Sequence, residues 1–334
     1  MRVLVINVLV LLVGAILAEL LFGGWVRDDP LALLNVPRDV HIVYDVTLPD
    51  GREWKADYRR DRWGLRGPFS APEAVDLVTL GGSTTDQRLL PEGATWQDVL
   101  ASELRRRGVA VEIANAGVDG QSTIGHLRSL DVWLPYVAGL RPRYVLAYVG
   151  INDVAVGGRD SYDSLLPPDT LWRKLTDHSA LYRLYRTVRG MIRAERYGIS
   201  HGLQSEPADV WQRISTVPDD PARIEAYDLR LRALIERIRQ WGAEPILVTQ
   251  PQRDWRVEDG MAYGRGGVSP DLAMLNRQLL RTCSATAVRC LDMAGELRFQ
   301  AGDFYDPLHN TPQGAARIGA WLAERLAPLL ARLG

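Results

Sequence analysis

Val75-Asp76-Leu77-Val78-Thr79-Leu80-Gly81-Gly82-Ser83-Thr84-Thr85 is an apolar run that stops at two glycines and a hydroxyl. A short apolar run bounded by turn residues reads as a buried strand. Gly81 and Gly82 let the backbone bend sharply there and approach another group closely. In open parallel sheets ligands bind just beyond the carboxyl ends of strands, which would put Ser83 at the mouth of a site. A serine after Gly-Gly is also ordinary turn chemistry, so the rest of the chain has to decide.

Downstream, strand and helix patterns alternate. Thr95-Trp96-Gln97-Asp98 has the form of a capping box, and Trp96, Val99, Leu100 and Leu104 then mark one helical face. Val111 to Ala114 reads as a second strand ending in Asn115-Ala116-Gly117, followed by a helix from Thr123 to about Ala138. Tyr144 to Val149 is a third strand, apolar on both faces as parallel strands tend to be, and ends in Gly150-Ile151-Asn152-Asp153. After an interruption, Asp220-Pro221 opens a helix with Ile224, Tyr227, Leu231, Leu234, Ile235 and Ile238 at helical spacing. Pro245 to Thr249 is a fourth strand, and Ser269-Pro270 opens a helix carrying Leu272, Leu275, Leu279 and Leu280. Val288 to Met293 is a fifth strand, and Thr311-Pro312 caps a last helix running nearly to Leu333. Five strands alternating with helices imply a doubly wound α/β domain, because parallel strands need crossover connections.

Working toward the amino end, three segments emerge. Residues 1–26 are almost wholly apolar from Val3 to Val26, broken by Asn7, Glu19 and a few glycines. That length suffices to span about 30 Å of hydrocarbon as a helix. Arg2 precedes it, which keeps the amino end inside and exports the rest. The expectation is a single-pass membrane anchor with an extracytoplasmic domain. The rival is secretion after cleavage at Ile16-Leu17-Ala18, but the apolar run continues through Leu20, Leu21, Phe22 and Trp25. Residues 27–70 read as a juxtamembrane segment, with a hairpin from His41 to Tyr58 around Pro49-Asp50-Gly51 and a loop from Asp61 to Pro68. Residues 71–334 form the main domain, with an insertion at 156–220 marked by Gly157-Gly158 and Pro167-Pro168. Within that insertion Leu181, Leu184, Tyr185, Val188, Met191 and Ile192 make an apolar stripe in an arginine-rich helix. The stripe is expected to pack inward beneath a solvated face, lipid contact being the alternative.

Composition narrows the function classes. The 334 residues are 46% hydrophobic and 24% charged, and the net charge of -1 gives no electrostatic case for nucleic acid or an acidic membrane surface. No CxxC, HExxH or Cys/His cluster occurs, so neither a metal nor another cofactor is expected. Cys283 and Cys290, seven apart, are either one small-loop bridge in an oxidising compartment or two buried thiols.

Three strand ends carry small or polar groups, Ser83, Gly117 and Asn152, and a parallel sheet projects all three at one edge. Asp306 and His309 lie three apart just before the last helix, a spacing that lets a carboxylate reach an imidazole on the same loop. Such a set suits nucleophilic acyl transfer, because a serine hydroxyl needs a neighbouring base and that base needs an orienting carboxylate. The backbone N–H groups of Ser83 and Gly117, with the Asn152 amide, suit a developing oxyanion. The nucleophile elbow of the α/β-hydrolase fold does not fit, since position 85 is Thr where G-x-S-x-G needs Gly.

Gly81-Gly82-Ser83, Asn115-Ala116-Gly117, Gly150-Ile151-Asn152-Asp153 and Asp306-Pro307-Leu308-His309 resemble, in order, the four blocks of the SGNH (GDSL-like) hydrolases. The resemblance covers about residues 75 to 330. It implies a flavodoxin-like three-layer α/β/α fold with a five-stranded parallel sheet. It also implies Ser83 as nucleophile, Ser83, Gly117 and Asn152 as oxyanion donors, and Asp306 with His309 as the remaining pair. Three positions depart from the pattern: Gly82 where Asp is usual, Thr84 where Leu is usual, and Asn310 where Pro often follows the histidine. The Gly-Gly-Ser-Thr form is similar to a membrane-anchored bacterial branch. The resulting expectation is an extracytoplasmic serine esterase that hydrolyses or transfers an O-acyl group of an envelope glycan or lipid ester. The alternative is a glycan-binding protein that keeps the fold without catalysis.

Overall fold

The computed structural model describes residues 2–26, 31, 34, 36–156, 171–196, 201–266 and 268–331. These divide into two compact units: 36–163 with 201–334, and 1–35 with 164–200.

The larger unit is built on β3 (Val75–Gly81), β4 (Glu112–Asn115), β5 (Tyr144–Tyr148), β7 (Glu244–Val248) and β10 (Arg289–Leu291). They form one parallel sheet in the order β10-β7-β5-β3-β4. Read from the other edge this is the flavodoxin-like order 2-1-3-4-5, whose switch point lies between β3 and β5. On one face α3 (Trp96–Arg106) packs with α10 (Pro312–Leu330); on the other α4 (Thr123–Val132), α7 (Pro221–Gln240) and α8 (Asp271–Thr286) pack in turn. Leu77, Leu146, Ile246 and Val248 of the sheet share a core with Trp96, Leu100, Ile318, Leu322 and Leu326. Leu231, Leu234, Ile238, Leu275 and Leu279 are buried from the second face.

The helix starts follow local chemistry. Thr95 and Asp98 form the capping box, Asp220 caps α7 ahead of Pro221, and the Thr311 hydroxyl accepts from the Gly314 N–H at the start of α10. The helix expected to continue to Ala138 ends at Val132 instead, and Leu134–Tyr136 is a separate 3-10 turn. Pro135 cannot donate a helical hydrogen bond and biases its predecessor away from helix. The fifth strand is shorter than Val288 to Met293, because Asp292 already caps α9 (Met293–Glu296). Cys283 and Cys290 are joined in a disulfide linking α8 to β10.

One small sheet outside the parallel sheet was not expected from the pattern. β6 (Gln212–Ile214), β8 (Trp255–Glu258) and β9 (Met261–Gly264) form a small antiparallel sheet, with β8 and β9 joined through Asp259-Gly260, both at positive φ. The expected hairpin is present as β1 (Val40–Thr47) and β2 (Glu53–Arg60), in register Val40↔Arg60 to Thr47↔Glu53. It and the following loop belong to the same compact unit as the sheet, although the sequence suggested a boundary at residue 70. Buried arginines tie them in, as described below.

The smaller unit contains α1 (Arg2–Phe22), α5 (Leu171–His178) and α6 (Ala180–Arg196). Helix α1 is long and apolar enough to cross a membrane. The apolar stripe of α6 does not pack inward: Leu181, Leu184, Tyr185, Val188 and Ile192 are all exposed. Gly157, Gly158, Pro167, Pro168 and the Met191 side chain lie outside the described residues, as do 332–334.

Candidate active site

Residue Gly81 closes β3, Gly82 turns, and Ser83 begins α2 (Ser83–Asp86), a single helical turn. The Ser83 hydroxyl and His309 Nε2 are 2.7 Å apart, and His309 Nδ1 is 2.6 Å from Asp306 Oδ2. Nδ1–H donating to the carboxylate leaves Nε2 as the acceptor for the serine proton. Asp306 is itself fixed by its own turn, since Oδ1 accepts from the backbone N–H groups of Leu308 at 2.8 Å and His309 at 2.7 Å. All three side chains are buried.

Asn152 lies in the 3-10 turn that follows β5 and Gly150, so it enters from the other side of the switch point. One Nδ2–H donates to the Gln121 carbonyl at 2.8 Å, and the second has no acceptor among the described residues. A Cβ added to Gly82 would stand 2.3 Å from that nitrogen, which places the amide directly against the turn that carries Ser83. Position 82 is glycine here for a steric reason. Asp153 is buried and accepts from the Thr123 hydroxyl at 2.5 Å and from the Thr123 N–H, pinning the segment that Asn152 touches. Burial pushes its carboxyl up, opposed by the Arg230 charge and the Thr123 bonds. Gln250, just past β7, donates to the Thr84 hydroxyl at 2.8 Å and accepts from the Ile151 N–H at 2.5 Å. Thr84 thus supplies an oxygen that couples the serine turn to the asparagine turn.

Gly117 behaves differently from expectation. Its N–H donates to Asn115 Oδ1 at 2.8 Å, the bond that an asparagine makes two residues on in an Asx turn. A Cβ there would lie 2.3 Å from the Asp86 nitrogen, so the glycine lets two backbones touch. Among the described residues the Ser83 N–H has no acceptor.

Two sets of residues escaped sequence reading. Arg60, at the end of β2, makes a buried 2.7 Å ion pair with Asp86 of α2 and also donates to the Gly117 carbonyl. Its guanidinium is held above its ordinary value despite burial, chiefly by the Asp86 charge. Arg66 donates to the carbonyls of Asp86, Gln87 and Leu90 at 2.6, 2.8 and 2.7 Å. The second set surrounds the histidine. His201 stacks on His309 with ring centroids 4.2 Å apart, while its Nδ1 meets the Tyr305 hydroxyl at 2.8 Å and its Nε2 meets Asp119 at 3.1 Å. Burial and the Asp306 and Asp119 charges push the Tyr305 phenol well up, so it stays a neutral hydroxyl beside His201. The Asp119 carboxyl is pushed down: burial opposes this, but the His201 hydrogen bond and the Arg88 charge outweigh it. Among the described residues no group of three or more His, Cys, Asp or Glu is gathered as a metal site.

No curated protein matches the chain. A lipase/acylhydrolase from Enterococcus faecalis is similar at 16% identity and TM-score 0.45, covering 76% of this chain and 97% of that one. A variant of an acetyl xylan esterase from Geobacillus stearothermophilus is 15% identical with TM-score 0.43, covering 74% and 93%. A carbohydrate acetylesterase from Sinorhizobium meliloti is 13% identical with TM-score 0.43, covering 76% and 99%. A family model matches residues 79–317, taking in the serine turn, the asparagine turn and the Asp306–His309 loop. The chain therefore belongs to the GDSL-like lipase/acylhydrolase family and is a carboxylic ester hydrolase of the SGNH type.

Proposed function

We propose that the protein is a membrane-anchored extracytoplasmic serine esterase acting on an O-acyl group of an envelope glycan or lipid. The observation that carries the reading is the unbroken hydrogen-bonded line from Asp306 through His309 to Ser83, at 2.6 and 2.7 Å. In the proposed reaction Ser83 Oγ attacks the ester carbonyl while His309 Nε2 takes its proton. Asp306 holds the tautomer and stabilises the imidazolium. The carbonyl oxygen becomes an oxyanion, met by the Ser83 N–H and the free Asn152 Nδ2–H. The Gly117 N–H joins only as a shared arm, because Asn115 already holds it. His309 then returns the proton to the leaving alcohol, and the acyl-enzyme passes its acyl group to water or to a sugar hydroxyl.

Residues 1–26 serve as the anchor in this reading. The Cys283–Cys290 disulfide supports an oxidising compartment, where such bonds persist. The test is Ser83→Ala. It should fold, lose hydrolysis of p-nitrophenyl acetate, and resist labelling by a fluorophosphonate. An alanine variant that labels and turns over like the parent would remove Ser83 from the mechanism. A panel of esters from acetate to long chains, with and without acceptor sugars, then reads acyl length and separates hydrolysis from transfer.

A further inference from the structure

Helix α6 carries its apolar residues on one side. At about 100° per residue, positions 181, 184, 185, 188 and 192 fall within an arc of about 100°. The arginines of the sequence at 186, 189, 193 and 196 fall in the adjoining arc. None of the five apolar side chains is covered; each is between 43% and 61% exposed. Leu171 and Trp172 of α5 are more exposed still. Five apolar residues at core spacing, with no core beneath them among the described residues, ask for an occupant.

The bonds at the start of α6 show where that face lies. Glu19, in the last turn of α1, accepts from the Ser179 hydroxyl at 2.6 Å and from the N–H groups of Ala180 and Leu181 at 3.0 and 3.1 Å. It thereby acts as an anionic cap on the amino end of α6. The Gly24 N–H donates to the His178 carbonyl at 2.8 Å, Arg183 donates to the Phe22 carbonyl, and Trp25 Nε1 donates to Glu19 at 2.8 Å. A 21-residue helix is about 31 Å long, close to the hydrocarbon thickness. Glu19 and Trp25 therefore stand where α1 leaves the hydrocarbon, and α6 starts at that level.

We propose that α6 is a lipid-docking helix: its apolar face lies in the boundary of the leaflet from which α1 emerges, with the arginine row on anionic headgroups. This rests on the reading of α1 as an anchor. A packed protein partner explains the apolar arc alone. A lipid surface explains the arc, the arginines beside it and the fixed height together, because long basic side chains reach from an apolar surface to phosphates.

The experiment uses the full chain in vesicles of phosphatidylcholine and phosphatidylglycerol, with a nitroxide on Leu184→Cys, Val188→Cys or Leu12→Cys in turn. The native cysteines are paired and do not compete for the label. Labels at 184 and 188 should collide several-fold more with oxygen than with a water-soluble nickel chelate, as the label at 12 does. The contrast at 184 and 188 should fall when phosphatidylglycerol is omitted. Nickel access at 184 and 188 with 12 protected overturns the proposal and leaves the anchor standing. Nickel access at 12 overturns the anchor, and 184 and 188 then decide lipid docking by themselves. Exclusion of both reagents at 184 and 188 overturns it in favour of a protein partner or a second copy. A contrast indifferent to phosphatidylglycerol overturns the role given to the arginines.

Discussion

Gly82→Ala should cripple turnover while leaving the fold intact. The added Cβ would sit 2.3 Å from Asn152 Nδ2, against a practical minimum near 3.0 Å, and 3.2 Å from the Gln121 carbonyl oxygen. The nearest obstacle is the tip of a side chain, so Asn152 rotates away and the backbone stays. A shift of about 0.7 Å or more takes the amide from its oxyanion position and strains its bond to Gln121. Losing one such donor costs roughly 10²–10³ in kcat, or about 2.7–4 kcal/mol of transition-state stabilisation, with little change in KM. Gly117→Ala provides the contrast. Its Cβ would meet the Asp86 nitrogen at 2.3 Å and the Thr85 carbonyl carbon at 2.7 Å, both backbone, so that variant should lose stability first. The assay is steady-state kinetics on a short ester beside urea denaturation. In an Asn152→Ala background the Gly82→Ala change should add little, because both act through one amide. Wild-type kcat in Gly82→Ala, or an undiminished cost in the Asn152→Ala background, would refute the reasoning.

Two further perturbations read other parts of the unit. His126 is buried, with Nδ1 3.2 Å from Gln121 Oε1, and burial depresses its pKa to about 3. The unfolded chain takes up this proton near pH 6.5 and the folded chain does not until about pH 3, so His126 erodes stability as pH falls through that window. The slope is about 1.4 kcal/mol per pH unit, and denaturation midpoints of His126→Asn should show a shallower acid decline than the parent. An equal slope in both would place the acid sensitivity elsewhere. His201→Ala should lower kcat/KM by about 2- to 12-fold, the worth of an aromatic stack of about 0.5–1.5 kcal/mol. His201→Phe should recover most of that loss if the stack matters more than the bonds to Asp119 and Tyr305, and an alanine variant at parental kcat/KM would show that neither does.

What the sequence disclosed was local. Strand runs ending in glycine, capping residues at 95, 220 and 311, and the three-residue step from Asp306 to His309 all act within a few residues, so the sheet and the residues gathered beside it were legible. Signals that were present but unused include Pro135, which ends α4 early, and the Asp259-Gly260 pair, a recognised hairpin turn. The partners of Arg60 and His201 carried no such mark. Asp86 is 26 residues from Arg60 and Asp119 is 82 from His201, and an arginine beside a strand end reads as a surface charge until the fold closes over it. Gly82 is intermediate. Its permissiveness was readable, but the amide that forbids a side chain there appears only once β3 and β5 lie side by side.

The hairpin gains its meaning from those long-range pairs. It precedes the stretch matched by the family model, which begins at residue 79, yet its last residue is an arginine buried against the serine turn. Arg60 neutralises Asp86 and binds the Gly117 carbonyl, and Arg66 takes up the carbonyls of Asp86, Gln87 and Leu90 as the chain leaves α2. Orphaning one member of a buried pair costs about 3–5 kcal/mol, far more than the pair is worth over an apolar replacement. Once Asp86 was buried, Arg60 became compulsory. The segment outside the family match is therefore part of what holds the nucleophile turn in place.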